Sequence, residues 1–181
     1  MDKKTSSETH IISHKVTEVA KTYHMRRKER EIGAKAKMRM ILAERPFITI
    51  AMCRADEPYL VTVNHALDPG TDRLYFHCAQ VGKKIDFLEK NPNVYAQAVE
   101  DRGYVKDKCD YDYATVNISG RASKVDSDEE KFRALDLLLE KLEPEIDADD
   151  ARKKFVKGSS LGKVSIYRID ISSMTGKTRV P

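Results

Sequence analysis

The sequence predicts a mainly β domain with peripheral helices, its strands curling into a small barrel. Short runs rich in β-branched and alternating residues recur between turn signals. Their order, three strands, a helix, then further strands, is not the repeated strand–helix–strand unit of a parallel sheet. A barrel spares the sheet its exposed edges, and 181 residues suffice for one such core.

The first ten residues are polar, and Ile12, Val16, Val19, Ala20 and Tyr23 then recur at helical spacing. They define an N-terminal extension, residues 1–24, that is helical in part; the barrel domain spans residues 25–181. A second helix is expected from Glu29 to Glu44, with Ile32, Ala36, Met40 and Ala43 on one side and Pro46 ending it. Phe47 to Cys53 reads as the first strand and Tyr59 to His65 as the second. After the Asp68-Pro69-Gly70 turn, Arg73 to Cys78 is the third; neighbours this close in sequence pair antiparallel.

A helix follows from Gly82 to just before Pro92, burying Ile85 and Leu88, and Val94 to Val99 resumes the sheet. Asp101 to Asp112 is charged, contains Gly103, and is expected to be an exposed loop. Tyr113 to Val125 is a long strand, in which Gly120 marks a bulge or a close backbone approach. Ser127 with Glu130 has the spacing of a capping box. The helix it opens carries Phe132, Leu135, Leu138, Leu139 and Leu142 on its apolar side, and Pro144 stops it. A polar helix over Asp147 to Val156, a last strand over Lys163 to Ile171 and a tail from Ser172 to Pro181 complete about six strands.

The stretch Tyr75-Phe76-His77-Cys78-Ala79-Gln80-Val81-Gly82-Lys83-Lys84 carries the most chemistry. Two lysines in a first helical turn sit at the positive end of the helix dipole, where a phosphate would offset their charge. The bland alternative is a pair of solvated surface lysines. Neither a P-loop nor a three-glycine dinucleotide fingerprint is present. His77 can face a ligand or serve as a core or interface histidine. A metal site from His65, His77 and Cys78 is conceivable by residue type alone. His10 and His14, four apart, lack a third ligand and read as surface residues.

Several blocks together resemble the nitroimidazole-resistance-like branch of the pyridoxamine 5′-phosphate oxidase superfamily. They are Arg26-Arg27-Lys28-Glu29-Arg30-Glu31-Ile32, Pro58 to Asn64, Leu74 to Ala79, Gly82-Lys83-Lys84-Ile85-Asp86, Asn91-Pro92, Val116 to Arg121, and Ile171 to Lys177. The resemblance covers about Met25 to Lys177. It implies an FMN-binding split β-barrel that works as a homodimer with cofactor sites at the subunit interface.

Carried onto this sequence, the resemblance gives Lys84 and Lys83 the phosphate, with Cys78 and Ala79 near it, and puts His77 near the cofactor as the catalytic candidate. Thr62, Val63 and Asn64 run beside the flavin, and Tyr75 and Phe76 are candidates for the same wall. Tyr111, Tyr113, Thr115 and Asn117 could close the site from another strand or from the second subunit. Cys78 stands where serine or threonine is more usual, which weakens one hydrogen bond to the phosphate. The implied activity is an oxidoreductase passing electrons from a small-molecule donor to an acceptor such as a nitro compound or a quinone. Flavin binding or electron storage without dedicated catalysis is the alternative, and other branches bind haem or deazaflavin.

Other function classes receive less support. The net charge of +4 is too small to demand a polyanion, and the basic cluster at Arg26 to Arg30 is interleaved with Glu29 and Glu31, so nucleic-acid binding is not expected. No apolar run approaches a membrane span and the lysine-bearing start is no signal peptide, which points to the cytoplasm. Cys53, Cys78 and Cys109 lack a close-spaced metal pattern and read as free thiols.

Overall fold

The computed structural model describes residues 25–156 and 164–180. The expected helix over Ile12 to Tyr23, with His10 and His14, lies outside the described residues. In chain order the elements are α1 (Lys35–Glu44), β1 (Phe47–Arg54), β2 (Glu57–Asn64), β3 (Ala66–Leu67), β4 (Arg73–Ala79) and α2 (Lys83–Lys90). There follow β5 (Asn93–Val105), β6 (Asp110–Lys124), α3 (Asp128–Leu142), α4 (Ala148–Phe155) and β7 (Val164–Arg179). None of the described helices is long and apolar enough to cross a membrane.

All seven strands belong to one antiparallel sheet in the order β2-β1-β5-β6-β7-β4-β3. Alternation along the strands sorts the side chains. Ile48, Ile50 and Met52 of β1, Val94, Ala96 and Ala98 of β5, and Ala114, Val116 and Ile118 of β6 share one core with Leu74, Phe76 and Ile169. Met38, Ile41 and Leu42 of α1 and Ile85, Phe87 and Leu88 of α2 join it. A second, smaller core lies on the outer face, where Ala134, Leu137 and Leu138 of α3 cover Tyr75, Val125 and Ile166. Each such large side chain contributes about 1.5–3 kcal/mol through burial.

The sheet curls until β2 contacts β4, but no ladder joins them among the described strands. β3 pairs with β4 only at Leu74 and Tyr75, so Phe76 to Ala79 keep one unpaired edge. The far edge of β2 is unpaired too. A split therefore separates two strand edges.

Three expectations need correction. Asp101 to Asp112 is not an open loop: β5 and β6 continue through it as a hairpin, with a register shift between Asp101 and Gly103. Its charges pair with one another, Arg102 with Glu100 on its own strand and with Asp112 across the hairpin at 2.8 Å each, so charge density here does not oppose strand formation. The tail from Ser172 is strand as far as Arg179, held by β6 from Tyr113 to Ser119.

The helix expected from Glu29 starts at Lys35, preceded by a 3-10 turn over Lys28–Arg30 and an extended segment at Ile32. Its buried residues are Met38, Ile41 and Leu42, whereas Met40 is exposed. Ile32 left the helical stripe because its N–H donates to the Gly176 carbonyl at 2.9 Å. Gly120 fulfils both expectations for it: the register shifts at Ser119/Gly120, and a Cβ there would lie 2.4 Å from the Asp170 carbonyl oxygen.

Candidate functional site

The chemistry-bearing stretch folds as the end of β4, a turn through Gly82 at φ 135°, and the start of α2. A positive φ of that kind favours glycine. Along β4, Leu74, Phe76 and Cys78 face the main core, while Tyr75, His77 and Ala79 face outward. The two aromatic residues assigned to one wall therefore lie on opposite faces. Phe76 stacks on Tyr167 with centroids 5.6 Å apart, and the Tyr75 hydroxyl donates to Glu130 Oε1 at 2.8 Å beneath α3.

Lys84 is the cation beside this strand end, with Nζ 5.5 Å from the centre of the Phe76 ring. Its field reaches both neighbours. His77 is exposed overall, yet desolvation by the groups packed around it, with added repulsion from Lys84, holds it below the ordinary imidazole value. Burial raises the Cys78 thiol, and Lys84 and Lys124 oppose that rise. The result at neutral pH is a neutral imidazole and a protonated thiol next to an ammonium.

Lys83 has a different occupation. Its Nζ donates to Glu57 Oε1 at 2.7 Å and lies 5.0 Å from the Tyr59 ring centre and 5.3 Å from that of Phe87. Arg54 bonds the same Glu57 at 2.9 Å and sits 4.7 Å over Phe87. Together these groups clasp the β1–β2 turn onto α2. The two adjacent lysines are thus separated by function: Lys83 holds the hairpin, and Lys84 stands beside His77 and Cys78.

Across the split, Val63 packs inward against the core. Thr62 points outward, sharing a 2.9 Å hydrogen bond with the Thr49 hydroxyl, and Asn64 donates to the Pro46 carbonyl at 3.2 Å. Where an edge strand lacks a neighbour, alternate N–H and C=O groups stay available to a ligand. Thr62 to Asn64 and His77 to Ala79 supply such groups from the two sides. Tyr113 and Thr115 are not brought to this place within one chain. Thr115 pairs with Lys177 on β7 and His77 with Ile166, with on the order of 35 Å of strand between those partners.

His65 is also elsewhere. It is fully buried, its Nε2 lies 2.8 Å from the Leu42 carbonyl, and burial, with Lys141 nearby, pushes its pKa down to about 3. Among the described residues no group of three metal-ligating side chains assembles. Glu57, Arg54 and Tyr59 escaped the sequence reading. Strand alternation placed Tyr59 inward, but nothing local pairs Glu57 with a lysine in a helix two strands later.

The sequence model of the pyridoxamine 5′-phosphate oxidase family matches residues 34–178. No curated protein sequence matches the chain. Among solved structures, a Bacteroides thetaiotaomicron protein named for 5-nitroimidazole antibiotic resistance superposes with a TM-score of 0.66 at 22% identity, covering 82% of this chain and 86% of its own. A FAD-binding protein from Mesorhizobium loti gives 0.59 at 18% identity, over 81% and 96% of the two chains. The flavocytochrome Anf3 from Azotobacter vinelandii gives 0.74 at 16%, over 88% and 74%. At these identities the likeness is one of fold.

Proposed function

This chain belongs to the pyridoxamine 5′-phosphate oxidase family, and we propose that it is an FMN-binding oxidoreductase that works as a homodimer and reduces a small acceptor such as a nitro compound or a quinone. The observation that carries this reading is the split itself. It offers two unpaired strand edges and, at one end, an ammonium beside a neutral imidazole.

The residues present suit a phosphate-bearing planar group. Lys84 would hold the phosphate, while Lys83 fixes the helix that carries it. The edge groups of Thr62, Val63 and Asn64 and of His77, Cys78 and Ala79 would bond the polar rim of the ring. Phe76 and Val63 supply apolar surface behind those edges. Bound FMN would contribute the transfer of electrons from a reduced nicotinamide to the acceptor. His77, neutral near pH 7, can donate a hydrogen bond to that acceptor or accept one from it.

The second copy has a surface available. Phe47, Leu60, Tyr95 and Val99 expose about half or more of their area on the outer face of β1, β2 and β5. Tyr113 and Thr115 reach a flavin only from that second copy.

The test is a visible absorption spectrum of the purified protein after FMN is added and unbound ligand removed. One retained flavin per chain, lost in Lys84→Ala while the fold persists, is the expected result. A folded wild-type protein that retains no FMN would overturn the cofactor assignment.

A further inference from the structure

Beside Lys84 the inner face of the sheet ends in rows that pair β4 with β7. Phe76, under the Lys84 ammonium, lies opposite Tyr167, and Cys78 lies opposite Ser165. Directly opposed residues share a face, with Cβ atoms about 5 Å apart. Alternation along β7 sends Tyr167 and Ile169 into the main core and Ile166 to the other side, so Ser165 is an inward residue next to the Cys78 thiol. Ser165 is 3% exposed, a polar side chain where both strand propensity and burial favour an apolar one.

Its hydroxyl makes no hydrogen bond among the described residues. A hydroxyl withdrawn from water without a partner is costly, so the position calls for a group from outside the chain. The neighbouring thiol does not fill that place, being a weak donor and a weak acceptor. The charges around this row favour an anion. Lys84 and Lys124 are the charged groups that bear on Cys78, Lys124 standing opposite Tyr167 in the β6–β7 ladder, whereas the carboxylates of Glu89 and Asp126 bear on Tyr167. Among the described residues neither Lys84 nor Lys124 has a carboxylate partner, while Lys83 is held by Glu57. A hydroxyl donor and an ammonium on either side of one strand end suit a phosphate oxygen.

We propose that Ser165 is a positioning residue for the cofactor, its hydroxyl donating to the phosphate group that Lys84 holds, a part the Cys78 thiol fills poorly. This contact rests on the flavin reading and brings a third element into the phosphate cradle: β4 gives the backbone edge, α2 the ammonium and β7 the hydroxyl.

Fluorescence titrations of the full chain with FMN and with riboflavin, which lacks the phosphate, test this. Ser165→Ala should weaken FMN binding about tenfold and leave riboflavin binding unchanged. Ser165→Cys, nearly isosteric, keeps the packing and removes the strong donor, so it should weaken FMN alike even if the alanine variant fails to fold. Cys78→Ser sets a stronger donor across the ladder and should restore part of the FMN affinity lost in either variant. The phosphorus-31 resonance of bound FMN is a second readout: loss of the Ser165 hydroxyl should shift it, which a packing role alone would not. Equal losses for FMN and riboflavin overturn the proposal. So do an FMN affinity and a phosphorus resonance that stay at their wild-type values in the Ser165 variants, an outcome that leaves the flavin reading standing. A wild-type chain that binds neither flavin overturns that reading and this contact with it.

Discussion

The outer face of the sheet is finished in two ways. Over β4, the end of β6 and the start of β7, α3 lies on Tyr75, Val125 and Ile166, which are at most 2% exposed. Over β1, β2 and β5, no described helix covers the face, and Phe47, Leu60, Tyr95 and Val99 remain 49–65% exposed. The same alternation generates both halves, so the difference lies in what the outward positions carry. The covered half is apolar at Tyr75, Val125 and Ile166, and the Tyr75 hydroxyl is satisfied by Glu130. The bare half mixes large apolar groups with a polar row whose members satisfy one another, Thr62 with Thr49 and Gln97 with Asn117, each at 2.9 Å. A face that is dry by construction belongs to the chain's own core. One that pairs its polar groups internally and still shows four large apolar residues suits contact with another molecule.

The largest expected effect tests the dry half. Leu138→Ala removes a side chain that is 3% exposed under α3 and should cost about 2–5 kcal/mol in urea unfolding. Tyr95→Ala, on the bare half, should leave the unfolding of an isolated subunit within about 0.5 kcal/mol of wild type. Equal losses in a monomeric preparation would erase the distinction drawn here.

A charge on the bare half sharpens the comparison next. Leu60→Glu and Tyr95→Glu together should convert a dimer into monomers at about 10 μM by sedimentation, with subunit folding retained, since a carboxylate is costly in a dry interface. If wild type is itself monomeric at that concentration, a second copy is not what this face receives.

Much of the division could be read in the residues. Alternation in Phe47 to Cys53 and Val94 to Val99 gave the strands, and Ser127 does cap α3, its hydroxyl accepting from the Glu130 N–H at 3.4 Å. The carboxylate of Glu130 had a second future that the local pattern hid. Instead of returning to Ser127 it binds Tyr75 and Arg168, and the helix face turns so that Ala134, Leu137 and Leu138 are buried while Phe132 and Leu142 stay exposed. The candidate site shows the same limit. The order of strand, glycine turn and two lysines was legible, but the partition of Lys83 to Glu57 depends on a contact 26 residues away. Tyr75 and Phe76 are adjacent in sequence, and a strand sends adjacent residues to opposite faces, so alternation alone already separates the two.

The smallest expected effect concerns how the covered half is pinned. Arg168 donates to both oxygens of Glu130 at 2.8 and 3.0 Å, and the Tyr75 hydroxyl adds a third bond. Burial works to raise the Glu130 pKa, but these bonds and the charges of Arg168 and Arg73 outweigh it and lower the group below its ordinary 4.5. A carboxylate lowered on folding stabilises the native state above its unfolded value, and that contribution disappears as pH falls through the lowered native value. Stability against urea should therefore decline below about pH 4.5, and Glu130→Gln should flatten that part of the profile. Tyr75→Phe should cost about 1 kcal/mol near pH 7, and less in acid once Glu130 is protonated. A Tyr75→Phe loss that is the same at pH 7 and at pH 3 would mean that α3 is held by its apolar face alone, with the ion pair contributing only orientation.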